Sequence, residues 1–209
     1  LGDTRGMASL LNNLGNVARQ EEKLERAATL HERSLMYFRQ LGDEMAIAAV
    51  LNNLAEVEWR REHREQAQAL YGESLKLCQK IQYTWGIASS LVGLGDVAHY
   101  YGDDDDAKSR YKEGLVLFQE MGDHAGITAC IDGLTKIFSE QELSEEAHQM
   151  DTQFEVVGYS MGRNDTGLTH LTIMDRLHAE LGDTLFNSLR TRGYIPTFES
   201  SIFEAFKDF

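Results

Sequence analysis

The stretch Leu10–Ala18 reads LLNNLGNVA, and forty residues later Val50–Glu58 reads VLNNLAEVE. Apolar residues three and four apart mark a helix with one apolar side. In both places a pair of asparagines falls at the same point of that helix. A helix repeated whole at a fixed interval is the mark of stacked helical repeats, so the register decides the fold. It holds without a gap through four copies. LGD opens at Leu1 and Leu41, IQY at Ile81 and MGD at Met121. Leu11, Leu51, Leu91 and Ile131 follow, then Leu14, Leu54, Leu94 and Leu134, then Val17, Val57, Val97 and Ile137. Ala27, Ala67, Ala107 and Ala147 share a position further on, and Leu35, Leu75 and Leu115 close the first three copies.

Each copy divides into two helices. In the first, residues 4–20 are helix A, a break falls near Glu21–Glu22, and residues 23–39 are helix B. At about 100° per residue, Met7, Ala8, Leu10, Leu11, Leu14, Gly15, Val17 and Ala18 cover an arc of about 180°. That is more than one partner helix can cover, so helix A is expected to pack on two sides. Gly15, Ala55 and Gly95 let a neighbouring helix approach closely, although Gly inside a helix costs about 1 kcal/mol relative to Ala. No unit could bury such faces alone, and stacking supplies the missing cover. The expected fold is all-α. Residues 1–157 form a superhelix of four antiparallel helix pairs, and residues 158–209 form a C-terminal helical cap.

The pattern resembles the tetratricopeptide repeat, lengthened to forty residues. Leu11, Leu14, Gly15, Ala27 and Ser34 match that family's large and small positions in the first copy, and Leu51, Leu54, Ala55, Ala67 and Ser74 in the second. Leu91, Leu94, Gly95, Ala107 and Gly114 match in the third. In the fourth, Thr135 replaces the small residue and helix B diverges after Ala147. The family's usual proline after helix B is replaced by the LGD linkers. Leu1 is not a methionine and stands at a linker position, so the chain is expected to be a fragment preceded by further repeats. An apolar side of its first helices would then be uncapped, a face through which two copies could pair as a homodimer.

Beyond the repeats, Gly158–Thr166 reads as a loop, followed by helices over about 167–181, about 184–192, and from Pro196 to Phe206. Leu181, Gly182, Asp183, Phe186, Gly193 and Ala205 resemble the closing segment of large bacterial signal-transduction ATPases that carry similar arrays. Asn187–Arg190 depart from that family's alanines and tryptophan. The resemblance implies a parent regulator of signalling or transcription with a nucleotide-binding module upstream.

Acids outnumber bases, 34 to 20, for a net charge of −14. Residues 1–40 carry one excess base, whereas residues 121–160 carry seven excess acids. Phosphate backbones need clustered Lys and Arg, so nucleic acid is not an expected partner. No window is apolar enough to span a bilayer, and no membrane partner is expected. Cys78 and Cys130 lie among apolar neighbours and read as reduced core thiols of a cytoplasmic protein.

Catalytic chemistry is not visible, and no cofactor or metal is expected. GLGDVA at Gly93–Ala98 fits a dinucleotide fingerprint formally, but that motif needs a strand before it, and here it lies inside helix A. Gly102–Ala107, GDDDDA, cannot turn four acids on one ion if they enter a helix. It reads as a turn at Gly102 with aspartates capping helix B. His31 occupies the large position of helix B, matched by Tyr71 and by Arg110–Tyr111, and reads as packing. His170 and His178 lie about two turns apart without a ligand-type partner.

Opposite the apolar arc runs a polar stripe. The first copy places Ser9, Asn12, Asn13, Asn16, Arg19 and Gln20 there; the second places Ala49, Asn52, Asn53, Glu56, Trp59 and Arg60. The third supplies Ser89, Val92, Gly93, Asp96, His99 and Tyr100, and the fourth Ala129, Asp132, Gly133, Lys136, Ser139 and Glu140. The family resemblance implies that A helices line a concave groove for a protein or peptide. An amide can serve both groups of an extended backbone, since it donates and accepts. The same asparagines could instead face solvent or bond adjacent A helices to each other, and both readings stand at this point. LNNLA also resembles the long repeats of kinesin light chains, whose groove binds peptides. The lysine clamp with which some relatives hold a terminal carboxylate is not assembled, because Asn12, Asn52, Val92 and Asp132 occupy its first lysine place. The expected groove residues are Asn12, Asn13, Asn16, Arg19, Asn52, Asn53, Glu56, Trp59, Arg60, Asp96, His99 and Tyr100, with Trp59 and Tyr100 as large contacts. Because the doublet is confined to two copies, a partner reading it should sit toward the N-terminal half. The expected function is a non-enzymatic protein-binding module. The alternatives are an effector-sensing domain or a structural, self-associating scaffold.

Overall fold

The computed structural model describes residues 3–154 and 166–195, with side-chain surroundings for 3–141 and 173–195. The helices are α1 Thr4–Gln20, α2 Leu24–Leu41, α3 Glu44–Arg60, α4 Arg64–Ile81, α5 Thr84–Tyr100, α6 Asp104–Met121, α7 His124–Phe154 and α8 Thr166–Thr191. Among the described residues there is no strand. Two compact units are formed, Leu1–Cys130 and Ile131–Phe209. The expected domain edge at residue 157 lies outside the described residues.

In the first unit the linker LGD has a role at every residue. Leu41 ends α2, Gly42 turns left-handed (φ +67°), and Asp43 caps α3 by accepting the Ala46 N–H at 3.2 Å. A glycine suits that turn because it has no Cβ to clash at positive φ. Met121, Gly122 and Asp123 repeat the arrangement, with Asp123 accepting the Gly126 N–H at 3.1 Å. In IQY, Gln82 adopts the same left-handed backbone (φ +57°) and Tyr83 makes no cap. The turns between helices A and B are left-handed too, at Glu22, Glu62 and Gly102. As the sequence implies, Asp103 then caps α6 through the Asp106 N–H at 3.1 Å.

From α1 to α6, consecutive helices pack on each other. Besides this, the backbones of α1 and α3, and of α3 and α5, come together, while α2 and α4 or α4 and α6 have no comparable approach. Within this unit the A helices therefore line the inside of the curve. Small residues set the spacing. A Cβ on Gly15 would lie 2.6 Å from the His31 ring, and one on Gly95 would lie 2.8 Å from Tyr111. The small positions of helix B do more than make room: Ser34 donates to the Ala8 carbonyl at 2.8 Å and Ser74 to the Ala48 carbonyl at 3.0 Å. Each bond ties helix B to helix A of its own pair.

The two-sided packing expected of helix A is complete in α3, where Val50, Leu51, Leu54, Ala55 and Val57 are all buried. Val50, Leu54 and Val57 share one core with Ala28, Leu35 and Phe38 of α2. In α1 only one side is covered. Ala8, Leu11 and Ala18 are buried, but Met7, Leu10, Leu14 and Val17 are 50%, 53%, 40% and 48% exposed.

After α6 the pairing stops. In place of the separate fourth helix B that the register implies, α7 runs unbroken for 31 residues. The turn position holds Glu142, the residue type that turns left-handed at Glu22 and Glu62, so that residue by itself does not account for the unbroken helix. In the second unit, α8 is broken at Gly182 (φ +74°, ψ 161°), which yields the two helices anticipated there. Leu177, Leu181, Phe186 and Leu189 are buried. His178 bonds Asp183 at 2.8 Å and stacks on Phe186. The loop anticipated at 158–166 lies outside the described residues except for Thr166, which begins α8, and the helix anticipated after Pro196 lies outside them.

Candidate functional site

The polar stripe lies on the A helices of the first unit, and its asparagines have unequal fates. Asn12 Oδ1 accepts from Asn53 Nδ2 at 3.2 Å and lies 3.0 Å from His31 Nδ1. Asn52 is buried; its Nδ2 donates to Ser89 Oγ at 2.6 Å. Ser90, 3.4 Å from Asn52 Oδ1, reaches Ser74 Oγ at 3.0 Å, and Ser74 donates onward to Ala48. These amides bridge α1 to α3 and α3 to α5, so three of the four doublet residues bond adjacent helices. Asn13 is exposed, and Asn16 is half-buried with an Oδ1 that has no hydrogen-bond partner.

The charged and aromatic members also pair across repeats. Arg19 forms an ion pair with Glu56, and Arg60 reaches Glu22 at 3.0 Å. Trp59 meets Tyr100 edge to face at 5.8 Å. The Arg64 guanidinium, at the start of α4, lies 4.0 Å from the Trp59 ring centre and 4.7 Å from that of Tyr100. Such cation–ring contacts add about 0.5–2 kcal/mol each. His99 Nδ1 lies 2.8 Å from Asp104, and Asp96 accepts the Tyr111 hydroxyl at 2.7 Å.

Beside these residues a cavity of about 360 Å³ opens between α3, α5 and the first turns of α7, entirely within the first unit. Asn52, Glu56, Trp59, Arg60 and Asp96 of the anticipated set line it. Asn12, Asn13, Asn16, Arg19, Asn53, His99 and Tyr100 do not. Of the four doublet residues, Asn52 reaches it. Tyr71 and Phe118 reach it from helices α4 and α6. Its floor is made of small residues, Ser89, Gly93, Ala125, Gly126 and Ala129. Gly93 lies so close to Tyr71 that an added Cβ would stand 2.3 Å from the ring.

Sequence reasoning misses Trp85 and Asp123. The Trp85 indole N–H donates to Asp123 Oδ2 at 2.8 Å. The signal is present: Trp85 lies one helical turn before Ser89, on the same stripe. Its register partner Arg5 makes the corresponding bond to Asp43 at 2.6 Å.

Electrostatically the cavity is negative. The Gly126 N–H, and then the Trp85 indole, hold the Asp123 carboxyl below its usual pKa. Tyr71 is made a weaker acid by burial first, then by Glu56 and Asp96. Burial, assisted by Asp96, pushes the Cys130 thiol up to about 12. Among the described residues no group of three His, Cys, Asp or Glu side chains could hold a metal ion. None of their helices is long and apolar enough to cross a membrane.

Residues 6–80 match the family model of the tetratricopeptide repeat. No curated protein matches the chain. Among solved structures it is similar to BtubC (BKLC) from P. vanneervenii, with 18% identity and a TM-score of 0.58, over 79% of this chain and 71% of that one. That likeness concerns the fold.

Proposed function

We propose that this chain, whose residues 6–80 match the tetratricopeptide repeat, is a non-enzymatic module that takes a protein or peptide segment on its A-helix face. Repeats of this family are in general protein-binding scaffolds without catalytic chemistry. The observation that carries the reading is the cavity on that face, where Trp59 and Trp85 wall a floor of small residues. Aromatic anchors beside a recess are what a bound side chain needs. The test is photo-crosslinking in the source cells. An aryl-ketone side chain at Asn13 or Tyr100 should capture the partner, and one at Arg33 or Glu113, on the exposed faces of α2 and α6, should not. Equal capture from both faces would refute the assignment.

A second reading draws on the same cavity, whose volume suits a small-molecule effector. A metabolite that raises the melting temperature, and loses that effect in Trp85→Ala, would establish it. Self-association is a further proposal, carried by the exposed row Met7, Leu10, Leu14 and Val17 on α1. Sedimentation of Leu10→Lys/Leu14→Lys should then show fewer dimers than wild type. The resemblance of residues 181–205 to the tails of bacterial regulators supports a place in such a protein. Free, buried Cys78 and Cys130 support a reducing, cytoplasmic setting. The gene upstream of Leu1 decides the parent, by encoding a nucleotide-binding module or not.

A further inference from the structure

We propose that the bare row on α1 takes the same row of a second copy, antiparallel, about a twofold axis at the level of Asn12. The inference rests on the self-association reading above and names the partner, the face and the order of contacts.

Met7, Leu10, Leu14 and Val17 stand three, four and three residues apart, and each is between 40% and 53% exposed. On a helix they fall within about 80° of one another. These are the a and d places of two heptads, the seam that one helix offers to another. The next repeat uses it so. The counterparts of these residues on α3 are Ile47, Val50, Leu54 and Val57, which pack with Ala28, Leu35 and Phe38 of α2. On α1 the row is open.

Three observations select a second copy as its cover. The side of α2 that fits such a seam is occupied by α3, and no other described helix exposes more than two large apolar side chains. The row that one copy can offer another is therefore α1 itself. Next, the spacing is the same read from either end. Antiparallel copies set Leu10 against Leu14 and Met7 against Val17, twice each, as a twofold contact requires. Charge, thirdly, permits the approach here. Gly6–Ala18 holds no charged residue, and residues 1–40 carry one excess base in a chain of net charge −14. The acidic surfaces of two such chains repel each other, and this end avoids that. The antiparallel order also sets the N-terminal end of each α1 beside the C-terminal end of the other, which the helix dipoles favour. There Asp3, which accepts the Gly6 N–H at 2.8 Å, approaches Glu21 of the second copy, and Lys23, bonded to Glu21 at 2.7 Å, supplies a cation. Four side chains a copy are few beside the roughly 20–30 residues a side of a standard interface, so the dimer is weak and concentration-dependent.

The test pairs two variants of the full chain, Leu10→Glu and Leu14→Lys. Both positions are exposed, so each variant should keep the far-ultraviolet dichroism of wild type. Alone, each sets a charge against leucine at both inner contacts, and sedimentation equilibrium should show association weakened about tenfold or more. In an equal mixture the new carboxylate meets the new ammonium, and the remaining Leu14 meets the remaining Leu10. The mixture should therefore recover most of the wild-type association. Parallel copies would leave each new charge against leucine, so recovery is specific to the antiparallel order. Met7→Glu with Val17→Lys gives the same comparison at the outer contacts. Single variants that dimerise as wild type does overturn the α1 row while leaving self-association through another surface. Loss in both without recovery on mixing overturns the antiparallel order. A wild-type chain that stays monomeric up to about 1 mM overturns the self-association reading with it.

Discussion

Tyrosine in place of His31 should remove an acid sensitivity from the first repeat. His31 is fully buried, and its Nε2 has no hydrogen-bond partner. Burial, and then the nearby Arg19, lower its pKa from 6.5 to about 4. The sign follows from where protons bind. Below about pH 6.5 the unfolded chain takes a proton that the native imidazole refuses until about pH 4, so stability is intact above 6.5 and falls as pH drops toward 4. At about pH 5.5 the unfolded histidine is some ten parts protonated to one, a loss of about 1.4 kcal/mol; below about pH 4 the loss approaches 3 kcal/mol. No screening discount applies, because the ring has no exposed surface. The higher pH of the pair is the better choice, since the chain's net charge vanishes near 4.9 and would promote precipitation there.

Tyrosine is what the next two repeats place at this register. Tyr111 donates to Asp96 at 2.7 Å, and Asn16 is the register counterpart of Asp96. The phenol hydroxyl introduced by His31→Tyr would thus point at the Asn16 Oδ1 that lacks a donor. One new bond of about 1 kcal/mol offsets the lost contact to Asn12, so the variant should match wild type near pH 7.5. Urea unfolding of both proteins, followed by tryptophan fluorescence and far-ultraviolet dichroism at about pH 7.5 and 5.5, gives the comparison. Carboxylate titration is common to both and cancels. Wild type should lose about 1.4 kcal/mol more than His31→Tyr. A difference under about 0.5 kcal/mol would refute the premise that His31 stays neutral in the fold.

Leu54→Ala should cost about 3 kcal/mol and Leu14→Ala under about 1, although they share a register, because Leu54 is 3% exposed and Leu14 40%; equal losses in denaturant titrations would contradict the one-sided packing of α1. Gln82→Gly should raise stability by about 0.5–1 kcal/mol, since glycine relieves the left-handed backbone there; a lower melting temperature would count against it. Glu58 is fully buried and bonded at 2.6 Å to both Arg61 and His63, whereas its companion Glu25 on Arg61 is exposed. Glu58→Gln should therefore cost about 3 kcal/mol and Glu25→Gln less than about 1, read from chemical unfolding.

The helices were legible because their signals are local. The register, the left-handed glycines and the capping aspartates all act within a few residues, and the structure places them where the spacing implied. What was not legible depends on the angle between neighbouring repeats. Helical projection takes Asn12 and Asn52 off the apolar arc, but it cannot tell that each lies within bonding distance of the next A helix. In projection Trp59 and Tyr100 form open contact surface. Arg64 covers both, because the start of α4 comes beside the ends of α3 and α5.

The asparagine doublet and the cavity are linked by what replaces the doublet. Between α1 and α3, and between α3 and α5, amides fill the inside of the curve and hold the helices together. At the third repeat the same positions are Val92 and Gly93, which cannot bridge to the next helix. The polar link that remains there is the bond from Trp85 to Asp123, two turns earlier, at the register place of the bond from Arg5 to Asp43. The amides' absence from the centre opens the space, and the bond at the rim leaves an indole and a carboxylate facing it. A ligand there would meet walls already held by bonds that the fold itself requires. Such preorganisation lowers the ordering cost of binding. An asparagine at 123 has one acceptor oxygen where the carboxylate has two, so Asp123→Asn should keep the cap on α7 and lose the indole bond, as Trp85→Ala does. Both variants should broaden the Trp59 indole signal in the free protein. A line width unchanged in both would mean that the indole bond does not hold the wall.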